Sequence, residues 1–138
     1  MQKIILAAAM LVDPWGRLLS VRKKTSRYFM MPGGKVEPHE NHQEALIREL
    51  GEELGLKVKV QELHFLGNHT AIAVNEKNSV VHAAIYLLRI SDLHEILPQS
   101  EIEEIAWLTK TNHHRYKLAH LLLEFTLPRW LNDAHLKF

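Results

Sequence analysis

The sequence predicts one mixed α/β layered domain, with strands packed beside two helices. Three observations carry that reading. Apolar runs of strand length, bounded by turn sequences, fall at residues 4–12, 18–22 and 80–90. Two stretches, 41–54 and 116–125, space their apolar residues three and four apart. The chain has 138 residues, 46% hydrophobic and 24% charged, which suits one domain with a sizeable core across residues 1–138.

The elements follow in order. Residues 4–12 read as a buried first strand, ended by the turn Asp13-Pro14-Trp15-Gly16, and residues 18–22 as its returning partner. Lys3 followed by nine apolar residues superficially resembles a short export signal. Its small residues Ala7, Ala8 and Ala9 lie inside the apolar run, however, and a second strand-like run follows at once. A basic connection leads to the short apolar piece 28–31, stopped by Pro32-Gly33-Gly34. From Asn41 the spacing of Ala45, Leu46, Leu50 and Leu54 is helical, and Gly55 is placed to end that helix. Residues 56–66 alternate as a strand, 69–79 read as a loop, 80–90 as a long strand and 104–108 as a short one. Leu118, Leu121, Leu122 and Phe125 form the stripe of a C-terminal helix that Pro128 is expected to break. Trp130, Leu131 and Phe138 are expected in the core or at an interface.

Composition excludes several classes. Seventeen basic residues against sixteen acidic ones give a formal charge of +1, which weighs against extended nucleic acid as a partner. The absence of cysteine excludes disulfide scaffolds, thiolate zinc sites and cysteine nucleophiles, and fits a cytoplasmic location. No apolar stretch approaches the roughly 20 residues of a membrane helix. Ten histidines are many for this length, and none forms a zinc-binding pair with an acidic partner on a helix.

The near-neutral total hides two opposed segments. Residues 17–35 hold six basic residues and no acid, whereas 40–53 hold five glutamates against one arginine. On the predicted helix, Glu49, Glu52 and Glu53 fall on one face, because spacings of three and four are neighbours there. An acidic stripe is ordinarily a solvated surface. Here the like charges repel without interleaved lysine, and they lie near the helix C-terminus, where the macrodipole disfavours anions. A divalent cation removes both penalties, and clustered hard oxygen ligands suit Mg²⁺ or Mn²⁺. Arg48, four residues after Glu44 and four before Glu52, is placed to orient a metal-binding carboxylate. The Gly33-Gly34 pair directly before the helix lets backbone approach a metal or a phosphate. Arg22 and Lys35 are the candidate phosphate-binding groups of the basic segment. Tyr28 is a candidate for stacking on a base and Phe29 for the core. His69 and His82 flank the variable loop and are candidates for contact with substrate.

The string Gly34-x5-Glu40-x7-Arg48-Glu49-Leu50-x-Glu52-Glu53-x-Gly55-Leu56 is similar to the full signature of the Nudix hydrolase superfamily and meets it at every defining position. The hairpin before Pro32 and the segment Glu101-x5-Trp107 resemble MutT-type members. The resemblance implies an α/β/α sandwich, with a mixed central sheet between the catalytic helix and a C-terminal helix. It implies Mg²⁺-dependent hydrolysis of a nucleoside diphosphate linked to another group. Glu49, Glu52 and Glu53 would then ligate the metal with help from the Gly33 carbonyl. Arg48 would orient the glutamates, Glu40 would support the loop–helix turn, and Gly55 would allow the exit from the helix.

Pyrophosphate hydrolysis needs charge neutralised on the phosphate oxygens and a water aligned opposite the leaving group. Glu52 or Glu53 on the helix, and Glu101 or Glu104 ahead of Trp107, are the candidate bases. The expected substrate is a small nucleotide, first a nucleoside triphosphate (oxidised forms included) giving a monophosphate and pyrophosphate. ADP-ribose or a nucleotide sugar is the alternative, with dinucleoside polyphosphates and capped RNA behind it. A non-catalytic nucleotide sensor is the reading from another class. An intact set of metal ligands argues against that reading. Either a monomer or a homodimer is compatible with the sequence.

Overall fold

The computed structural model describes residues 1–91 and 94–132. Phe138 lies outside them. Seven strands form one mixed sheet: β1 Gln2–Val12, β2 Leu18–Lys23, β3 Phe29–Met30, β4 Gly33–Lys35, β5 His64–Ile72, β6 Ser79–Arg89 and β7 Ile102–Leu108. The path across the sheet runs β3-β2-β1-β6-β5, with β4 on β1 and β7 on β2. β1 and β6 pair in parallel over their whole length, from Gln2↔Ser79 to Val12↔Arg89. The other ladders are antiparallel.

β1 is apolar almost throughout because both its faces are covered. Ile4, Ala8, Met10 and Val12 point to one side, with Val81, Ile85, Leu122, Phe125 and Trp130. Ala7, Ala9 and Leu11 point to the other, with Leu46, Leu50, Leu54, Ala84 and Leu88. Helix α1, His42–Leu54, covers the second side, and the C-terminal helical segment covers the first. The result is the α/β/α sandwich. Among the described residues, no helix is long and apolar enough to cross a membrane.

α1 is closed at both ends by local chemistry. Asn41 Oδ1 accepts from the Glu44 amide at 2.8 Å, while Glu44 Oε1 accepts from the Asn41 amide at 2.9 Å, a reciprocal capping box. Gly55 leaves the helix with φ 66°, a conformation that glycine adopts without strain.

Three sequence expectations fail, each through a tertiary partner. Of residues 56–66 only the last three form a strand, because β6 offers a pairing edge only from His64 onward (His64↔Leu87). Val60–Glu62 make a single 3₁₀ turn instead, with Val60 exposed. The strand then runs on to Ile72, into the stretch read as loop, since Thr70, Ala71 and Ile72 pair with His82, Val81 and Val80. The C-terminal helix begins at 120, not 116. Residues before it stay extended because the Phe29 amide donates to the Lys117 carbonyl and the Ala119 amide donates to the Phe29 carbonyl, at 2.8 and 2.9 Å.

Pro128 does not end that helix. A π-helical stretch, Leu122–Thr126, widens the turn just before it, with the Leu127 amide reaching back to the Leu122 carbonyl, and helix α2, Leu127–Asn132, continues through the proline. Trp130 is buried in the core, with Nε1 donating to the Gly16 carbonyl at 2.9 Å, and Leu131 packs against the same cluster.

Candidate active site

β4 and α1 build the site. β4 pairs with β1 through Ala7↔Gly34 and Ala8↔Gly33, so the two glycines lie in the sheet beside the middle of β1. Gly33 is required by space, and a side chain at Gly34 would displace the Glu49 carboxylate. A β-carbon on Gly33, whose φ is 145°, would fall 2.7 Å from Ala8 Cα. One on Gly34 would fall 2.5 Å from Glu49 Oε2. The two glycines therefore let α1 lower its carboxylates against the sheet.

Glu53 is 2% exposed, and its Oε1 accepts from the Gly33 amide at 3.0 Å. Burial pushes its carboxyl up to about 8, against the pull of that hydrogen bond, and neighbouring Glu49 adds to the rise. Burial raises the Glu49 carboxyl as well, opposed by the Arg48 guanidinium, whose Nη1 lies 2.7 Å from Glu49 Oε1. Glu101, at the start of the β7 segment, completes a group in which carboxylate oxygens of Glu49, Glu53 and Glu101 all lie within 4.8 Å of one another.

Arg48 sits beside this group and is held by Glu40 through a two-pronged contact, Nε to Oε2 at 2.7 Å and Nη2 to Oε1 at 2.8 Å. That pairing holds the Glu40 carboxyl down at about 2, and it raises Arg48 further above its ordinary range. Glu40 Oε1 also accepts from the Glu37 amide at 3.0 Å, and Arg48 Nη2 donates to the Lys35 carbonyl at 3.1 Å. Glu40 and Arg48 thus tie the loop after β4 to the acidic helix.

A cavity of about 470 Å³ opens beside the carboxylates. Gly33, Gly34, Glu49, Glu101, Lys23 and Lys35 line its polar end. Leu6, Met31, Val81 and Leu122 contribute to an apolar wall, and the turn after β5 and His120 also reach it. This lining suits a ligand with a charged end and an apolar end.

The predicted residues distribute unevenly over this geometry. Glu49, Glu101, Gly33, Gly34 and Lys35 come together in the cavity lining, and buried Glu53 lies beneath it in the close group with Glu49 and Glu101. Glu52 shares their helix face but stands outside the close group, its side chain 55% exposed and 3.5 Å from Arg48. Gly33 turns its amide, not its carbonyl, to Glu53. Arg22 and Glu104 pair with each other at 2.8 Å, paired across β2 and β7, and stand outside the cavity lining; Arg22 also donates to the Ser26 carbonyl.

His69 and His82 also lie outside the lining: His69 contacts Glu124 at 2.9 Å and Phe125, and His82 contacts Thr70. Phe29 is buried edge-on to Tyr116, and Tyr28 lies under the Lys117 ammonium. Sequence reasoning missed the cavity's apolar wall and the contributions of Lys23, Asn75, Glu76 and His120. Lys23 was visible as one of six basic residues. The others lay in segments whose pairing partners the sequence did not reveal.

Comparison with known proteins places these features in context. A family model described as the NUDIX domain matches residues 3–126. The CTP pyrophosphohydrolase of Escherichia coli (strain K12) is 27% identical over 121 residues, covering 85% of this chain and 84% of that protein. The solution structure of the E. coli ORF135 protein superposes with a TM-score of 0.69 at 27% identity, covering 97% of this chain and 96% of that one. The crystal structure of a MutT NUDIX hydrolase from Burkholderia pseudomallei gives the same TM-score at 24% identity, over 88% of this chain and 93% of that one.

Proposed function

The chain belongs to the Nudix hydrolase superfamily, MutT-like, and on that premise we propose that it hydrolyses nucleoside triphosphates to the monophosphate and pyrophosphate with the help of Mg²⁺. The coarser statement needs no proposal: the protein is a hydrolase of phosphoric anhydrides. The observation that carries the finer one is the Glu49–Glu53–Glu101 group opening onto a cavity with an apolar wall and two lysines.

The donor set fits a hard divalent cation. Three carboxylates converge, and buried Glu53 has a raised carboxyl with the Gly33 amide as its hydrogen-bond partner. A positive ion beside it relieves that unfavourable burial of charge. Glu49, Glu53 and Glu101 would hold the ion, with Glu52 on the outer, solvent side of the same helix face. When bound, a divalent cation neutralises phosphate oxygens and lowers the pKa of water.

The chain's own residues do the rest. Arg48, fixed by Glu40, holds Glu49 in place. Gly33 and Gly34 keep the cavity floor low enough for phosphates to approach. Lys23 and Lys35 supply positive charge to the cavity lining, and the apolar wall receives the base. A domain spanning residues 1–138, acting in the cytoplasm on a small nucleotide, is consistent with this reading.

The test is a screen with Mg²⁺ of the four common nucleoside triphosphates, oxidised triphosphates, ADP-ribose, nucleotide sugars and dinucleoside polyphosphates. Released pyrophosphate and nucleoside monophosphate are measured. CTP is the first substrate to assay, because a relative covering most of the chain bears that activity in its name. Turnover of ADP-ribose but of no triphosphate overturns the proposal in favour of the alternative. No turnover of any compound favours a nucleotide sensor.

A further inference from the structure

Two lysines line the cavity among the described residues, and each is held by a carboxylate. Lys23 Nζ lies 3.5 Å from Glu101 Oε1, and Lys35 Nζ lies 3.1 Å from Glu76 Oε1. The two carboxylates differ in position. Glu101 belongs to the close acidic group, so a cation bound there takes up its charge and leaves Lys23 able to face an anion. Glu76 lies in the turn between β5 and β6, apart from that group, so a cation does not release Lys35.

That turn contributes Ala73, Val74, Asn75 and Glu76 to the cavity wall; main-chain bonds hold its ends, the Ala73 amide donating to the Ser79 carbonyl at 3.1 Å and the Gln2 amide to the Asn78 carbonyl at 2.7 Å, and side chains fasten its tip at two points of different strength. At Asn75, Oδ1 accepts from the Ser26 hydroxyl at 2.8 Å, and Ser26 is itself buried, its Oγ accepting from the Tyr28 amide at 3.0 Å. At Glu76, the ion pair joins side chains that are 61% and 43% exposed, and such pairs are weak and screened by salt. The main chain of Lys35 is fixed, because its carbonyl accepts from Arg48 Nη2. The Lys35 ammonium arm and the Glu76 tip of the turn are left to rearrange.

Charge gives the rearrangement a direction. The cavity lining holds the carboxylates of Glu37, Glu49, Glu76 and Glu101 against two ammonium groups, an arrangement that repels a polyphosphate. A divalent cation cancels the excess, and withdrawal of Glu76 tips the cavity positive.

We propose that the β5–β6 turn is a latch over the cavity, in which Glu76 occupies Lys35 until an entering polyphosphate displaces it. The latch rests on the cavity being the polyphosphate site named above. It assigns Glu76 as a positioning residue for Lys35. The turn, loosened at Glu76 but still tethered at Asn75, then follows the ligand.

The experiment is a double-mutant cycle read by calorimetric binding of inorganic triphosphate in the presence of Mg²⁺, using the full chain as wild type, E76Q, K35Q and the double variant. E76Q is expected to bind triphosphate about two- to fivefold more tightly, and the gain is expected to vanish in the K35Q background. Amide hydrogen exchange in residues 73–78 of the wild type is expected to quicken when triphosphate binds. In turnover assays the E76Q gain should appear in KM and not in kcat. Equal or weaker binding by E76Q overturns the latch. So does a gain that persists in K35Q, which would mark a general charge effect, and so does a failure of triphosphate to bind any variant. A positive cycle with no nucleotide turned over refutes the functional reading alone. Turnover with no coupling between the two positions refutes the latch alone.

Discussion

Replacing Glu53 by glutamine should stabilise the metal-free protein while destroying its activity. Glu53 is 2% exposed, and burial lifts its carboxyl from an ordinary value near 4.5 to about 8. For an acid raised in the folded state, the stabilisation is complete below the unfolded value and is lost as pH rises through the folded one. The metal-free fold therefore loses stability between pH 4.5 and about 8. At pH 7 that loss is about 3 kcal/mol, and at pH 5 it is under about 1 kcal/mol.

Glutamine keeps an oxygen to accept from the Gly33 amide. Its new amide hydrogens face the carboxylates of Glu49 and Glu101, which can accept them. Urea and thermal unfolding in EDTA, from pH 5 to pH 8, read the difference directly. The variant should melt on the order of 10 °C above the wild type at pH 7, with the gap closing toward pH 5. Added Mg²⁺ should raise the wild type more than the variant. Equal stability at pH 7, or a variant less stable throughout the range, would refute the assignment of Glu53 as a buried, charge-strained carboxyl.

Four further outcomes are expected. Gly34→Ala places a β-carbon on Glu49 and should weaken Mn²⁺ binding and turnover together, measured by titration with the spin-active ion. Arg48→Lys loses the two-pronged contact with Glu40 and should lower metal affinity about 10- to 100-fold, an effect absent if Arg48 is only a surface charge. Glu101→Gln should weaken Mn²⁺ binding, whereas Glu104→Gln should leave it intact and cost at most about 1 kcal/mol of stability through its partly exposed pair with Arg22. Gly55→Ala forces a left-handed position and crowds Gln99 Nε2, and should destabilise the fold by about 1 kcal/mol or more in urea unfolding.

The acidic helix α1 was legible because its signals are local. Apolar spacing at Ala45, Leu46, Leu50 and Leu54 and the exit at Gly55 are set within one short segment, which the Asn41–Glu44 capping box then closes at its start. The acidic face followed from the same periodicity. Glu101 was legible only as a candidate beside Glu104, because both lie within three residues at the start of β7 and a linear chain does not say which one turns toward α1. The structure separates them: Glu101 reaches the acidic group, and Glu104 is taken up by Arg22 across the β2–β7 ladder.

The sequence by itself determined the class of fold, the carboxylate helix, the Gly-Gly approach and the separation of basic from acidic segments. Each depends on neighbours within a turn or two of chain, where sterics and periodicity act directly. Only the tertiary structure decided where β5 begins, where the C-terminal helix begins, and which residues wall the cavity. Those outcomes depend on pairing partners far away in sequence: β6 for β5, Phe29 for the segment before the C-terminal helix, and β4 for the floor beneath Glu49 and Glu53. The strand and helix propensities of those segments are weak beside the hydrogen bonds and buried surface that the distant partners supply.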